Sequence, residues 1–203
     1  MIAFVPTILI TGPVASGKTT VAFEASAQLE ASGIAHALVD ADELDRIFSA
    51  PQGDPHKTAL TGRNLAAVWQ NQAAAGAPRP ILAMVAESLE RELPWIRAAV
   101  PGAEIVVVRL RAPESELLAR VRKREVGSRE SYHAGRASEQ ARSMARESDA
   151  EGTIVVQTQG RAVVGIAQEI LAKCRWVVKL PAGLRRIFLP RTRVNRARRW
   201  AGV

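Results

Sequence analysis

A chain of 203 residues, 47% hydrophobic and 24% charged, has the size and balance of one compact globular domain and excludes wholesale disorder. It contains no apolar run of about 18 residues that would cross a bilayer, and its first residues, Met1 to Val5, lack the basic flank of a signal peptide. The formal net charge of +8 suggests nucleic acid or an anionic membrane, but nine basic residues and no acid follow Cys174, which leaves 19 basic and 20 acidic residues before it. The basicity therefore belongs to a tail. Cys174 is the single cysteine, which excludes an intrachain disulfide framework and a cysteine-based zinc site and fits a reduced, cytoplasmic location.

Along the chain, Thr7–Ile10 reads as a short apolar strand with Pro6 at its start. A glycine-rich loop follows, then a helix from Thr19 to about Ser32, closed by Gly33. Ala35–Asp40 is a second strand, Asp42 to about Ser49 a short helix, 50–55 a Pro/Gly loop, and Lys57–Ala75 a longer helix. Ile81–Ala86 is a continuously apolar third strand, of the kind buried on both faces. A helix then runs to about Val100, with Pro94 inside it or starting its last part. Glu104–Leu110 is the clearest strand, and Pro113–Glu125 a helix with proline in its tolerated first turn. The segment from Val126 to about Ala134 is polar, Gly135–Glu147 a charged helix, Thr153–Gln157 a fifth strand and Arg161–Lys173 a last helix. Strands alternating with helices predict an α/β domain over residues 1–174, with a parallel sheet covered on both faces and a tail over 175–203.

Gly12-x-x-x-x-Gly17-Lys18-Thr19 matches the P-loop pattern in full, between an apolar strand and a helix as its mechanism requires. The glycines let the chain wrap closely around phosphates, and successive amides and the helix N-terminus face the anion. Gly12, Pro13, Val14, Ala15, Ser16, Gly17, Lys18, Thr19 and Thr20 are the expected nucleotide-binding residues. Lys18 reaches the terminal phosphates, and the Thr19 hydroxyl is an expected Mg²⁺ ligand.

Asp40-Ala41-Asp42 ends the second strand, where ligands of open α/β sheets bind. One carboxylate can hold Mg²⁺ and the other can take the proton of an incoming hydroxyl, with Asp40 the metal candidate. Asp42 is also a candidate N-cap, with Asp45 bonding back to it. Arg120 and Arg124 lie four apart on one helix face, with Arg122, Lys123, Arg129 and Arg136 close behind. They read either as a lid of about residues 120–147 that folds over the nucleotide and stabilises charge, or as a solvated charged helix paired with Glu114, Glu116 and Glu125. Arg63, on the 57–75 helix, is a candidate contact for an anionic acceptor or an ordinary exposed arginine. Tyr132 and His133 sit in the polar segment, and His36 and His56 read as structural or solvent-facing.

The P-loop, the Asp-x-Asp after the second strand and the Arg-x-x-x-Arg segment come in the order used by small-molecule P-loop kinases. Over about residues 5–174 the chain resembles the group that contains shikimate, gluconate and adenylylsulfate kinases and chloramphenicol phosphotransferase-like, AAA-type ATP-binding proteins. The resemblance implies a three-layer fold with a five-stranded parallel sheet in the order 2-3-1-4-5 and an arginine-bearing helical lid. It implies ATP on Gly12–Thr19, Mg²⁺ and the acceptor hydroxyl served by Asp40 and Asp42, and a lid served by Arg120 and Arg124. Two departures concern the acceptor. Ala41 replaces the glycine of the adenylylsulfate kinase Asp-Gly-Asp, with Asp45 where its arginine stands and Arg46 one later; and the third strand leads into Glu87 rather than a shikimate kinase glycine motif. The chemistry carries over better than the substrate.

The expected activity is phosphoryl transfer from Mg·ATP to a hydroxyl of a small molecule, an antibiotic or sugar nucleotide included. The other reading is a nucleotide-binding regulatory protein or an ATPase that meets nucleic acid through the basic tail. No Asn-Lys-x-Asp motif supports a regulatory GTPase. The tail, whose apolar residues from Trp176 to Leu189 are interleaved with base, reads as a solvated arm, a lipid anchor or a non-specific nucleic-acid contact that catalysis does not need.

Overall fold

The computed structural model describes residues 4–124, 127, 129–146 and 149–176. Five strands alternate with six helices: β1 (Val5–Thr11), α1 (Lys18–Ala31), β2 (Ala37–Asp40), α2 (Thr58–Ala74), β3 (Pro80–Ala83), α3 (Leu89–Ala99), β4 (Ala103–Arg111), α4 (Glu114–Arg124), α5 (Arg129–Arg146), β5 (Ile154–Gln157) and α6 (Val163–Lys173). The strands form one sheet in the order β2-β3-β1-β4-β5, every pair parallel. Both the order and the three-layer architecture are those expected from the resemblance.

The period-2 geometry of strands explains why the apolar runs are continuous. Ile8 and Ile10 of β1, Ile81 of β3 and Val108 and Leu110 of β4 point to one face, where α1 and α6 cover them with Val21, Leu29, Ile166 and Ile170. Leu9, Leu82 and Val107 point to the other face, against Leu65 and Trp69 of α2 and Ile96 of α3. Pro6 lies inside β1, not at its start. It is tolerated because β1 pairs there with β4 alone, and β3 joins only from Ile8 onward. A third small cluster, Leu117, Val121 and Ala137, joins α4 to α5 and receives Val14 and Ala15 of the P-loop.

Three expected elements differ. The helix expected from Asp42 to Ser49 is a single 3₁₀ turn, Ala41–Glu43, because the following carbonyls are taken by side chains. Asn64 Nδ2 donates to Leu44 O at 2.6 Å, and Lys57 Nζ to the carbonyls of Asp45 and Ile47. The polar segment expected up to Ala134 is helical from Arg129, since burial of the α5 face against α4 outweighs the cost of Gly135, about 1 kcal/mol. The third strand stops at Ala83: Met84 N–H still reaches Ile10 O of β1, but the amides beyond it turn to side chains, Val85 N–H donating to Asp42 and Ala86 N–H to Thr11.

Trp176, assigned to the tail in the sequence reading, is 6% exposed and packs into the α1/α6 core, with the Arg79 guanidinium 5.3 Å from its ring. The rest of the tail, 177–203, lies outside the described residues. Cys174 is free, and burial pushes its thiol up to about 11. No helix among the described residues is long and apolar enough to cross a membrane.

Candidate active site

The carboxyl ends of the strands converge on the loop Gly12–Gly17, which links β1 to α1. Gly12 has φ +149°, and a Cβ there would stand 2.6 Å from the Leu110 carbonyl of β4, so only glycine lets the loop start so close to the sheet. Gly17, at φ +97°, is the N-cap of α1. Neither a capping side chain nor an acidic residue occupies the first turn of that helix, so its amides and positive dipole end are left for an external anion. Ser16 is fully buried, and its Oγ has no hydrogen-bond partner among the described residues. Ala15 to Val21, Arg120, Arg124, Thr158, Arg161, Val163 and Ile166 line a cleft of about 350 Å³.

Lys18 is 7% exposed and its Nζ donates to the Pro13 carbonyl at 3.3 Å. Desolvation by burial lowers its pKa; Asp42 and Asp40 oppose that, and the Arg124 charge adds to it. Asp42 Oδ2 lies 3.9 Å from Lys18 Nζ. Thr19 Oγ1 donates to Asp40 Oδ2 at 2.7 Å, and Asp40 Oδ1 accepts from Asp42 N–H. The cap of the 3₁₀ turn is thus Asp40, not Asp42. Asp42 turns the other way, its Oδ1 accepting from Val85 N–H at 3.0 Å. It keeps 40% of its side-chain surface open, yet the surrounding protein desolvates it enough to raise its pKa, against the Lys18 charge and the Val85 hydrogen bond.

The arginines divide. Arg120 donates from Nη1 to the Ala15 and Ser16 carbonyls and to Thr158 Oγ1, from Nη2 to Thr158 O, and from Nε to Glu116. It ties the P-loop to the β5–α6 connection at the cleft wall. Arg124 lines the cleft and is close enough to act on Lys18. Arg136 reaches Glu87 at 3.4 Å. Arg63 is exposed on α2 and makes no hydrogen bond or ion pair with Asp40 or Asp42. His36 is structural, with Nδ1 on the Ile34 carbonyl and Nε2 on Ser26 Oγ at 2.7 Å, and Arg46 pairs with Glu43.

Four groups at the site have no role in the sequence reading. Thr158 and Arg161 follow β5, and the rule that ligands meet the carboxyl ends of strands could have found them. Gln140 and Glu87 had no local signal. The buried Arg109 of β4 also went unread. It is 1% exposed, its Nη1 donates to Met144 O, and its Nε is 3.3 Å from Asp149 Oδ1, while Arg111 donates to Asp149 Oδ2 at 2.8 Å.

Thr19 and Asp40 could hold a divalent ion only together with ligands from outside the protein. No cluster of three His, Cys, Asp or Glu side chains among the described residues could hold a metal by itself. One hydroxyl and one carboxylate beside an anion-binding loop are the donor set of an ion that shares its shell with phosphate oxygens and water, as Mg²⁺ does.

A parallel 2-3-1-4-5 sheet with a P-loop after its central strand is the fold of the P-loop kinases. The chain belongs to the AAA domain family, whose model matches residues 8–151. No curated protein matches by sequence. Among solved structures the chain is similar to a gluconokinase from Sinorhizobium meliloti, at 21% identity and TM-score 0.54 over 85% of this chain and 93% of the other. It is similar to the Mycobacterium tuberculosis APS kinase solved with AMPPNP and APS, at 19% identity and TM-score 0.56 over 85% and 98%. The Deinococcus radiodurans tunicamycin resistance protein aligns at 17% identity and TM-score 0.55 over 83% and 95%.

Proposed function

We infer that this protein transfers the terminal phosphoryl group of Mg·ATP to a hydroxyl of a small molecule. The observation that best supports this is the meeting of Lys18, Asp42 and the Thr19–Asp40 pair beside one uncapped helix N-terminus, with Lys18 Nζ 3.9 Å from the Asp42 carboxylate. The loop amides and the end of α1 hold the phosphate chain, and Lys18 neutralises its terminal oxygens. Mg²⁺, when bound, neutralises charge on the phosphate oxygens, with Thr19 and Asp40 as its protein ligands. Asp42 takes the acceptor's proton. A carboxyl raised above its usual range is a stronger base, and the Val85 amide fixes its direction. Arg124 lines the cleft wall and stabilises charge on the transferring group, beside Arg161, whose guanidinium is held by Glu169 and the Gln157 carbonyl. Arg120 holds the loop in shape through the Ala15 and Ser16 carbonyls. Arg63 is assigned to an anionic part of the acceptor.

The gluconokinase, the APS kinase and the tunicamycin resistance protein carry three different compounds in their names, so likeness at this level does not choose an acceptor. The test is ADP release from Mg·ATP across hydroxylated metabolites, nucleosides and antibiotics, with Lys18→Ala as control. One acceptor that raises turnover many-fold, with a dead control, supports the reading. ATP binding without any acceptor response, and turnover raised by RNA or DNA instead, transfers the assignment to a nucleic-acid-associated ATPase using the 175–203 tail.

A further inference from the structure

Gln140 stands out in α5. The helix is otherwise rich in charge, yet this polar side chain is 1% exposed. A buried amide is costly unless both of its ends are paired. Here both are: Oε1 accepts from the Val14 backbone N–H at 3.0 Å, and Nε2 donates to Glu87 Oε1 at 2.9 Å. The Val14 amide can only donate and the Glu87 carboxylate accepts, so one orientation of the amide satisfies both. Val14 belongs to the P-loop and its side chain packs on the α4/α5 cluster. Glu87 follows directly on two residues that hold the other side of the site: Val85 N–H holds Asp42, and Ala86 N–H holds Thr11 Oγ1, just before Gly12. Arg136 donates to the same Glu87 oxygen at 3.4 Å.

We propose that Gln140 is a positioning residue that locks the P-loop to the loop after β3, so that docking of α5, the shape of the phosphate cradle and the aim of Asp42 depend on one side chain. The proposal rests on the phosphotransfer reading for its consequence, but not for its geometry. Gln140→Glu keeps an acceptor for Val14 N–H and sets a second carboxylate against Glu87. Combining it with Glu87→Gln exchanges donor and acceptor and rebuilds both bonds.

In the full-length chain, two quantities are measured for wild type, Gln140→Glu and the double variant. They are the affinity for Mg·AMPPNP and amide hydrogen exchange at Val14, Val85 and Ala86. Gln140→Glu is expected to bind about tenfold more weakly and to lose protection at Val85 and Ala86, and the double variant to return to within about twofold of wild type on both. A general packing defect would not be repaired by a second substitution on another element. Binding and exchange unchanged in Gln140→Glu, or a double variant no better than the single, overturns the lock. A wild-type chain that binds no Mg·AMPPNP overturns the phosphotransfer reading instead. The exchange pattern then still judges the lock: protection lost and regained supports it, and protection unchanged overturns it.

Discussion

Thr19 and Asp40 meet beside the P-loop: the hydroxyl at the start of α1 donates to the carboxylate at the end of β2 at 2.7 Å. The residues are 21 apart in sequence, and β3 lies between β1 and β2 in the sheet. If the pair shares a metal ion, Thr19→Val and Asp40→Asn should each raise the Mg²⁺ concentration for half-maximal turnover by about tenfold or more, with smaller effects on nucleotide affinity without metal. A Mg²⁺ titration of ADP release checks this, and an unchanged midpoint in both variants removes the assignment.

Asp42 gives two predictions of opposite sign. As base it must be ionised, so turnover should fall as pH drops through its raised pKa, placing the acid limb above the ordinary aspartate range, and Asp42→Asn should cost about 10²–10⁴ in kcat. For stability, a carboxyl raised in the folded state binds its proton more tightly there than in the unfolded chain. Its contribution is therefore fully present at low pH and is lost as pH rises from the unfolded to the folded pKa. Asp42→Asn should consequently melt higher than wild type at pH 7 and converge with it in acid. The gain should be only about 1–2 °C, since the open part of the carboxylate is screened by water. Melting curves at pH 4 and pH 8 decide, and a variant less stable at pH 8 contradicts the raised pKa.

Arg120 and Arg124 should separate by phenotype. Arg120→Ala strips partners from two P-loop carbonyls and Thr158, so both melting temperature and nucleotide affinity should fall, by about 1–3 kcal/mol in stability. Arg124→Ala should mainly lower kcat, through lost charge stabilisation at the cleft wall. Thermal melts paired with steady-state kinetics would show whether the two losses divide this way or travel together.

Asp149 compensates Arg109, whose guanidinium is almost wholly buried. Asp149→Ala should cost about 3 kcal/mol or more, because it leaves a buried charge with less compensation, whereas a joint replacement with Arg109→Met should recover much of the loss. Urea unfolding of the two variants tests the difference. A single variant as stable as wild type would mean that the other partners of Arg109 suffice.

Where the chain is cut near its end should matter by two residues. Ending it at Cys174 removes Trp176 from the α1/α6 core and should destabilise it by about 3 kcal/mol. Ending it after Trp176 should leave melting temperature and turnover near those of the full chain. Equal stability of the two truncations would show that the indole contributes nothing.

The sequence by itself determined the sheet and the phosphate loop. Apolar runs such as Ile81–Ala86 and Glu104–Leu110 alternate with helical patterns, and that alternation leaves a parallel, doubly covered sheet as the simple solution. The glycines, Lys18 and Thr19 of the P-loop are recognisable from local spacing alone. So are Asp40 and Asp42 as a pair, because the end of a strand is legible from its own residues.

Tertiary structure decided everything that depends on what a side chain meets. Which aspartate caps the turn was settled by Val85 N–H, 43 residues from Asp42. Arg120 and Arg124 look alike on one helix and both line the cleft, yet Arg120 donates to two carbonyls of the P-loop while Arg124 acts on the charge of Lys18. The Gln140–Glu87 and Arg109–Asp149 pairings left no local trace. Hydrogen bonds and ion pairs need both partners at short range, and for these residues the chain brings the partners together only by folding.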